Sequence, residues 1–275
     1  MPKVSVLVPL YNTQLDHLKV MIESVLAQTY TDFELLILND SPTNDALRDV
    51  VKSYTDSRIR YVENERNLGI SASRNRLIDL AQGEYLAIFD HDDICEPQRL
   101  ALEVAYLDEH PDVGVVSGQT IDIGNGRLSA FPENNADIKA GLMHGCVVAH
   151  PASMIRKSVL INNGIRYEPA FSPAEDYLLW IRLIGVTLFH NLKEPMIQYR
   201  NHEDNTSHRR HEKMADADLL IKGIAANAYP HLLPENTNRY WIKLFGVVPL
   251  LKVKRTSHKK TYSLFGVIPL VTIEV

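Results

Sequence analysis

Cysteine is nearly absent: Cys95 and Cys146 are the only two among 275 residues. Two thiols cannot build a disulfide framework for a chain of this length, so a reducing compartment is expected. Long hydrophobic runs are missing as well. No stretch approaches the roughly 20 consecutive apolar residues that span a bilayer. The apolar run from Val4 to Leu10 is broken by Pro9 and is too short for the core of a signal peptide. Both absences lead to the expectation of a protein made and kept in the cytosol. There is no excess of positive charge either; the net charge of −5 offers no global reason to expect nucleic-acid binding. No Gly-x-Gly-x-x-Gly follows the first strand candidate and no Gly-Lys-Ser/Thr loop occurs, which removes the main support for the familiar dinucleotide and P-loop readings. A glycine-rich, arginine-bearing loop of the nucleotidyltransferase kind is also missing after that strand.

What is present is an ordinary soluble composition, 45% apolar and 23% charged, long enough for one large domain or a domain with an appendage. The charge is unevenly spread. Between Thr237 and Ile273 there is no acidic residue, while Arg239, Lys243, Lys252, Lys254, Arg255, Lys259 and Lys260 are basic. An acidic body with a basic tail suggests a tail that binds a surface. The same tail carries a repeat: Leu244-Phe245-Gly246-Val247-Val248-Pro249-Leu250 returns as Leu264-Phe265-Gly266-Val267-Ile268-Pro269-Leu270. Two copies do not make a solenoid.

Apolar periodicity organises the first half. Val4–Val8, Phe33–Leu38, Arg58–Val62 and the run ending at Phe89 read as strands. Helical spacing fills Asp16 to Gln28, Asp45 to Tyr54 and Ala72 to Ala81. The alternation predicts an α/β fold, a mostly parallel sheet with helices on both faces. The strands end in Asn12, Asp40, Asn67 and Asp90, so these polar residues are expected along one edge, in one cleft. The second half is less regular. Strands are expected at Val113–Val116, Thr120–Ile123, Val186–Phe189 and Met196–Tyr199, and helices over Pro97 to Glu109, over Asn134 to Met143, from the opening Pro173-Ala174-Glu175-Asp176 through about Ile184, and over Glu212 to Ala228. Residues 1–110 and 111–230 are expected to be the two halves of one domain, and 231–275 a tail.

The densest chemistry lies where the fourth strand ends, at Asp90-His91-Asp92-Asp93. Side chains two apart in extended backbone share a face, so Asp90 and Asp92 are expected to face one site. Paired carboxylates repel unless a cation joins them, and hard divalent ions such as Mg²⁺ or Mn²⁺ take few protein oxygens, completing their shell with substrate phosphates. Helix capping accounts for one of these acids, Asp93 or Glu96, but not for all three aspartates.

Five blocks in order carry a resemblance. They are Val6-Leu7-Val8-Pro9-Leu10-Tyr11-Asn12, Asn39-Asp40-Ser41, Asn67-Leu68-Gly69-Ile70-Ser71-Ala72-Ser73-Arg74-Asn75, Gly83-Glu84-Tyr85 and Phe89-Asp90-His91-Asp92-Asp93. Together they resemble family two glycosyltransferases of GT-A fold, over roughly the first 110 residues and more weakly to about residue 207. The resemblance implies inverting transfer from a nucleotide-diphosphate sugar, most readily a UDP-sugar. It puts Pro9, Tyr11, Asn12, Asp40 and Gly69 on the nucleotide-sugar side, with Asp40 accepting from a uracil-like ring nitrogen. It puts Asp90 at the ribose or the metal shell, and Asp92 on Mn²⁺ or Mg²⁺. Arg74 either contacts the nucleotide or pairs with an acid; Asn75 is structural. Glu175-Asp176 resembles the family's acidic pair, and Asp176 is assigned as the general base, with Glu175 capping or orienting. Tyr199-Arg200-Asn201-His202 resembles a late block that would bring His202 to the metal or the diphosphate. His208, Arg209, Arg210 and His211 form a basic run that closes over the diphosphate or is simply solvated. The layout is similar to enzymes of bacterial lipopolysaccharide or capsule synthesis. It implies a glycan or lipid-linked acceptor, and for the tail a peripheral contact with an anionic membrane. A sugar nucleotidyltransferase and a catalytically silent nucleotide-sugar-binding protein are the competing readings.

Overall fold

A computed structural model of the chain describes residues 1–201, 211–233, 239–244, 248–256, 259–264 and 268–274. Eight strands form one sheet in the order β3-β2-β1-β4-β7-β6-β8-β5. They are β1 (Val4–Leu10), β2 (Phe33–Asn39), β3 (Ile59–Glu63), β4 (Tyr85–Ile88), β5 (Ile94–Cys95), β6 (Val113–Asp122), β7 (Met154–Arg156) and β8 (Leu188–Tyr199). The helices of this part are α1 (Leu15–Leu26), α2 (Asp45–Lys52), α3 (Ile70–Leu80), α4 (Arg99–Glu109), α5 (Asn135–Leu142), α6 (Lys157–Asn162) and α7 (Glu175–Leu183), with a further helix at His211–Ala228. The expected α/β architecture is present: a mixed, mostly parallel sheet with helices on both faces.

Strand alternation divides the core in two. Val4, Val6, Val8, Leu35 and Ile37 face one side, where Leu18, Ile22 and Val25 of α1, Leu47 of α2 and Leu100, Val104 and Leu107 of α4 cover them. Leu7, Leu36 and Leu38 face the other, under Leu77 and Ile78 of α3, Leu160 of α6 and Leu178 to Leu183 of α7. β1 is flanked by parallel β2 and β4. β7 runs antiparallel to both β4 and β6, and β8 is parallel to β6. One reversed strand therefore restores the direction of its neighbours. The carboxyl ends of β1, β2, β3, β4, β6 and β8 all lie along a single edge.

Several boundaries differ from expectation. The two short strands expected at Val113–Val116 and Thr120–Ile123 are one strand, and so are those expected around Val186 and Met196. The pair stays together across Ser117-Gly118-Gln119, with a register shift on either side of Gln119. A Cβ on Gly118 would lie 2.7 Å from Met196 Cγ and 2.8 Å from the Glu194 carbonyl oxygen, so glycine is what lets β8 approach. Helix α4 begins at Arg99, not at Pro97, and Gln98 caps it without a side-chain bond. Neither Asp93 nor Glu96 caps that helix. Asp93 Oδ1 accepts the Arg200 backbone N–H at 2.8 Å, and Glu96 Oε1 accepts the Gln198 amide at 2.9 Å.

In the tail, residues Arg239–Leu244, Val248–Thr256, Lys259–Leu264 and Ile268–Glu274 form a four-stranded antiparallel sheet. In each copy of the repeat the first residue, Leu244 or Leu264, ends one strand, and Val248 or Ile268 begins another. The strands that flank the repeat pair antiparallel in both copies.

Candidate active site

The site grows from the ends of β1, β2 and β4. β2 leaves the sheet at Asn39, and Asp40, only 3% exposed, follows. Asp40 Oδ1 accepts from Asn64 Nδ2 at 2.6 Å and from the Leu68 N–H at 2.8 Å, and Oδ2 accepts from the Gly69 N–H at 2.9 Å. Its carboxylate thus shapes the 64–69 loop and orders the entry to α3. Gly69 stands at φ +82°, a conformation that suits a residue without Cβ. Asn39 amide nitrogen bonds the Tyr61 hydroxyl at 3.0 Å while its oxygen accepts the Ser41 N–H at 2.9 Å. Asn12 has the only positive φ among the described non-glycine residues, 51°; its N–H donates to Ser41 Oγ at 3.1 Å. Pro9 lies inside β1, paired with Leu38, and the Tyr11 side chain stands 55% exposed on the rim.

The acidic turn follows β4 directly. Extended backbone stops at Ile88, and residues 91 and 92 form a turn. The two-residue alternation used to place Asp90 and Asp92 together therefore does not apply there; the turn brings them to the edge instead. Two anchors hold it. Arg99, fully buried, donates to the Ile88 carbonyl at 2.8 Å and pairs with Glu103 at 3.2 Å. Arg200 donates from Nε to the Asp92 carbonyl at 2.9 Å as well as from its backbone to Asp93. Asp93 is 1% exposed; burial, then the charges of Asp90 and Asp92, push its carboxyl well above the usual range. Burial also pushes Glu103 up, to about 7, with Arg99 pulling the other way.

Arg74 joins this turn to the second half of the chain. From α3 its Nη2 reaches Asp90 Oδ1 at 3.1 Å and its Nη1 reaches Glu175 Oε1 at 2.7 Å. The pairing with acids that was one of its two expected roles is thus present, and it is buried rather than superficial. The guanidinium also lies 5.6 Å from the centre of the Tyr167 ring. Asn75, one residue on, exchanges two hydrogen bonds of 2.9 Å with the Tyr167 backbone. Glu175 opens α7 and orients toward Arg74; Asp176 beside it is half-buried, and its Oδ1 accepts the Tyr177 N–H at 2.7 Å. Burial first, and then Glu175, push the Asp176 carboxyl up to about 6, against the opposing pull of Arg74.

Four contributors gave no signal in the sequence reading: Asn64, Arg99, Glu103 and Tyr167. The i,i+4 spacing of Arg99 and Glu103 among Leu100, Val104 and Leu107 was the one available cue, because it puts an ion pair on the apolar face of a helix. His202, and His208, Arg209 and Arg210 of the basic run, lie outside the described residues. Among the described residues no group of three His, Cys, Asp or Glu side chains is arranged to hold a metal ion. Two aspartates, Asp90 and Asp92, remain partly accessible at the turn, with 31% and 18% of their side chains exposed. Such a pair of hard oxygen donors suits an ion that takes one or two carboxylates and finds its other ligands on substrate phosphates.

Residues 5–163 match the family model described as glycosyl transferase family 2. The chain belongs to that family. As a glycosyltransferase it acts on a nucleotide-sugar donor and an acceptor glycan. It is 33% identical over 223 residues to an uncharacterised glycosyltransferase of Methanocaldococcus jannaschii, covering 78% of this chain and 76% of that one. It is 30% identical over 221 residues to the amylovoran biosynthesis glycosyltransferase AmsE of Erwinia amylovora, covering 75% and 79%. Of other relatives it spans less than half the length. Two solved structures share the fold at a TM-score of 0.61: S. aureus TarS 1-349 with UDP-GlcNAc, 20% identical over 85% of this chain and 74% of that one, and the mannosyltransferase PcManGT of Pyrobaculum calidifontis with GDP-Man and Mn²⁺, 18% identical over 84% and 70%.

Proposed function

We propose that the protein transfers a sugar, with inversion, from a UDP-sugar to a cell-surface glycan or a lipid-linked acceptor, and that it depends on Mn²⁺ or Mg²⁺. The observation that carries this is Asp176. It is a half-buried carboxylate held up to about 6, beside Glu175, which an arginine ties to the acidic turn. A general base works best with a pKa near the operating pH. In one displacement, the acceptor hydroxyl oxygen attacks the anomeric carbon and its proton passes to Asp176. The bond from that carbon to the diphosphate oxygen breaks, and the nucleoside diphosphate leaves with the electron pair. Attack from the face opposite the leaving group inverts the centre.

Pro9, Tyr11 and Asn12 border the base. Asp40 keeps one lone-pair site beyond its three bonds for a ring N–H, and Gly69 allows the backbone to come close. Arg74 fixes Asp90 and Glu175, and Asp92, with Asp90 and His202, would hold the cation. When bound, a divalent ion supplies positive charge against the leaving diphosphate. TarS with UDP-GlcNAc supports a UDP-sugar donor, PcManGT with GDP-Man and Mn²⁺ supports a nucleotide-sugar donor used with a divalent metal, and AmsE supports the polysaccharide setting.

The assignment is tested by calorimetric titration of UDP with Mn²⁺. Asp92→Ala should weaken UDP binding at least tenfold; affinity equal to the parent's removes Asp92 from the metal. For the tail we propose peripheral attachment to an anionic membrane, since each basic residue near such a surface contributes about 1 kcal/mol. No helix among the described residues is long and apolar enough to cross a membrane. The full chain should float with phosphatidylglycerol-containing liposomes, and a chain cut after Asn236 should not; equal flotation defeats this role.

A further inference from the structure

At the carboxyl ends of β6 and β8 lies an open groove of about 280 Å³ lined by Thr120, Asp122, Arg127, Leu128, Ser129 and Tyr199. It belongs to none of the nucleotide-side or acidic-turn elements described above. β6 turns back on itself here: the Asp122 N–H donates to the Arg127 carbonyl at 2.9 Å, and Ile121 bridges to Leu128. Because β6 and β8 run in the same direction as β4, the groove opens on the same edge as the acidic turn. It lies on the flank away from β1, β2 and β3. Its floor is tied to the turn, since Tyr199 directly precedes Arg200, whose backbone and side chain bond Asp93 and Asp92.

The lining is chemically mixed in a particular way. Tyr199 and Leu128, the latter 49% exposed, supply an aromatic ring and an apolar wall. Asp122 is aimed by its Oδ1, which accepts from the Gly124 N–H at 2.8 Å and the Asn125 N–H at 3.2 Å. That leaves Oδ2 for a hydroxyl. Arg127, an exposed residue, contributes its side chain to the lining. A pyranose ring presents a C–H face to an aromatic side chain and hydroxyls around its rim to a carboxylate and a guanidinium. The volume is below that of a drug-sized pocket and matches one small ring rather than a nucleotide.

We propose that this groove binds a sugar residue of the acceptor glycan, with Tyr199 under the ring and Asp122 and Arg127 at its hydroxyls. The proposal rests on the transferase reading above and adds the side from which the acceptor enters: a nucleotide over β1 and β2 directs its diphosphate toward the acidic turn, and the acceptor arrives from the opposite flank.

The test uses the full chain with Mn²⁺ and UDP. Saturation-transfer NMR is run against methyl glycosides of glucose, galactose, mannose, rhamnose, N-acetylglucosamine and N-acetylgalactosamine. At least one glycoside should receive saturation at its ring protons. Tyr199→Ala and Arg127→Ala should each reduce that signal fivefold or more, and Tyr199→Phe should retain it, with UDP affinity within twofold of the parent throughout. Arg127 is exposed, so its substitution keeps the test valid even if Tyr199→Ala does not fold. Absence of signal from every glycoside, or a signal that survives Arg127→Ala while UDP binds normally, overturns the groove. A parent chain that fails to bind UDP overturns the donor reading instead, which separates the two failures.

Discussion

The carboxylate of Asp40 and the carboxylates around Arg74 sit on the same edge of one sheet but are built in opposite ways. Asp40 is held by neutral donors only: an amide and two backbone N–H groups. Around Arg74, three acids, Asp90, Glu175 and Asp176, crowd one buried guanidinium. Glu175 Oε2 and Arg74 Nε are buried and find no hydrogen-bond partner among the described residues. The first arrangement is what a scaffold needs, because a satisfied buried carboxylate costs little and fixes a loop. The second stores unrelieved charge, and perturbed carboxylates of this kind gather where chemistry is done. One side of the edge fixes a loop through neutral donors; the other gathers charges around a single guanidinium, which is what the proposed base and metal roles need.

The sharpest way to break this contrast is Asp176→Asn. It should reduce the transfer rate about a thousandfold, within the range of general-base losses, while UDP affinity and thermal stability hold or rise. Near-parental turnover removes Asp176 from the reaction. Asp40→Ala should do the reverse in kind. Freeing the Leu68 and Gly69 N–H groups and the Asn64 amide should cost about 3 kcal/mol of stability, read as a lower midpoint in denaturant. A midpoint equal to the parent's means the 64–69 loop does not depend on Asp40.

The smallest effect is a pH shift. A base must be ionised to act, so kcat should fall tenfold per unit below about 6 and level off above it. Arg74 holds the Asp176 carboxyl down against Glu175 and Asp90. Arg74→Gln should therefore move the acid limb upward, by roughly half a unit to one unit, about 1 kcal/mol. A downward movement of the limb contradicts the electrostatic picture drawn here.

The Asp40 side was the more legible in sequence. Strand, turn and helix alternate regularly from Val4 to Ile88, and Asn39-Asp40-Ser41 and Asn67-Leu68-Gly69 mark their turns by composition alone. The crowded side was legible only in pieces. Glu175 and Asp176 stood out before a helical run, but Arg74 lies 101 residues from Glu175. No local pattern says which acid a buried arginine will meet. The Asn75 clamp on Tyr167 spans 92 residues and is hidden for the same reason. The long strands β6 and β8 looked like pairs of short ones because Gly118 in one, and Asn191, Lys193, Glu194 and Pro195 in the other, break the apolar pattern. Asn191, however, is fully buried and bonds the carbonyls of Pro132 and Val147. Tertiary pairing overrode local preference there.

The reversed strand β7 has a developmental meaning for such an enzyme. By turning the direction once, it keeps the later strands pointing at the same edge as the earlier ones, yet it separates them in the chain. Insertions after Asp122 or Tyr199 would reshape the rim proposed for the acceptor without touching the strands whose ends are proposed for the donor. A lineage can therefore explore new glycans by editing one rim of a fold whose other rim stays unchanged.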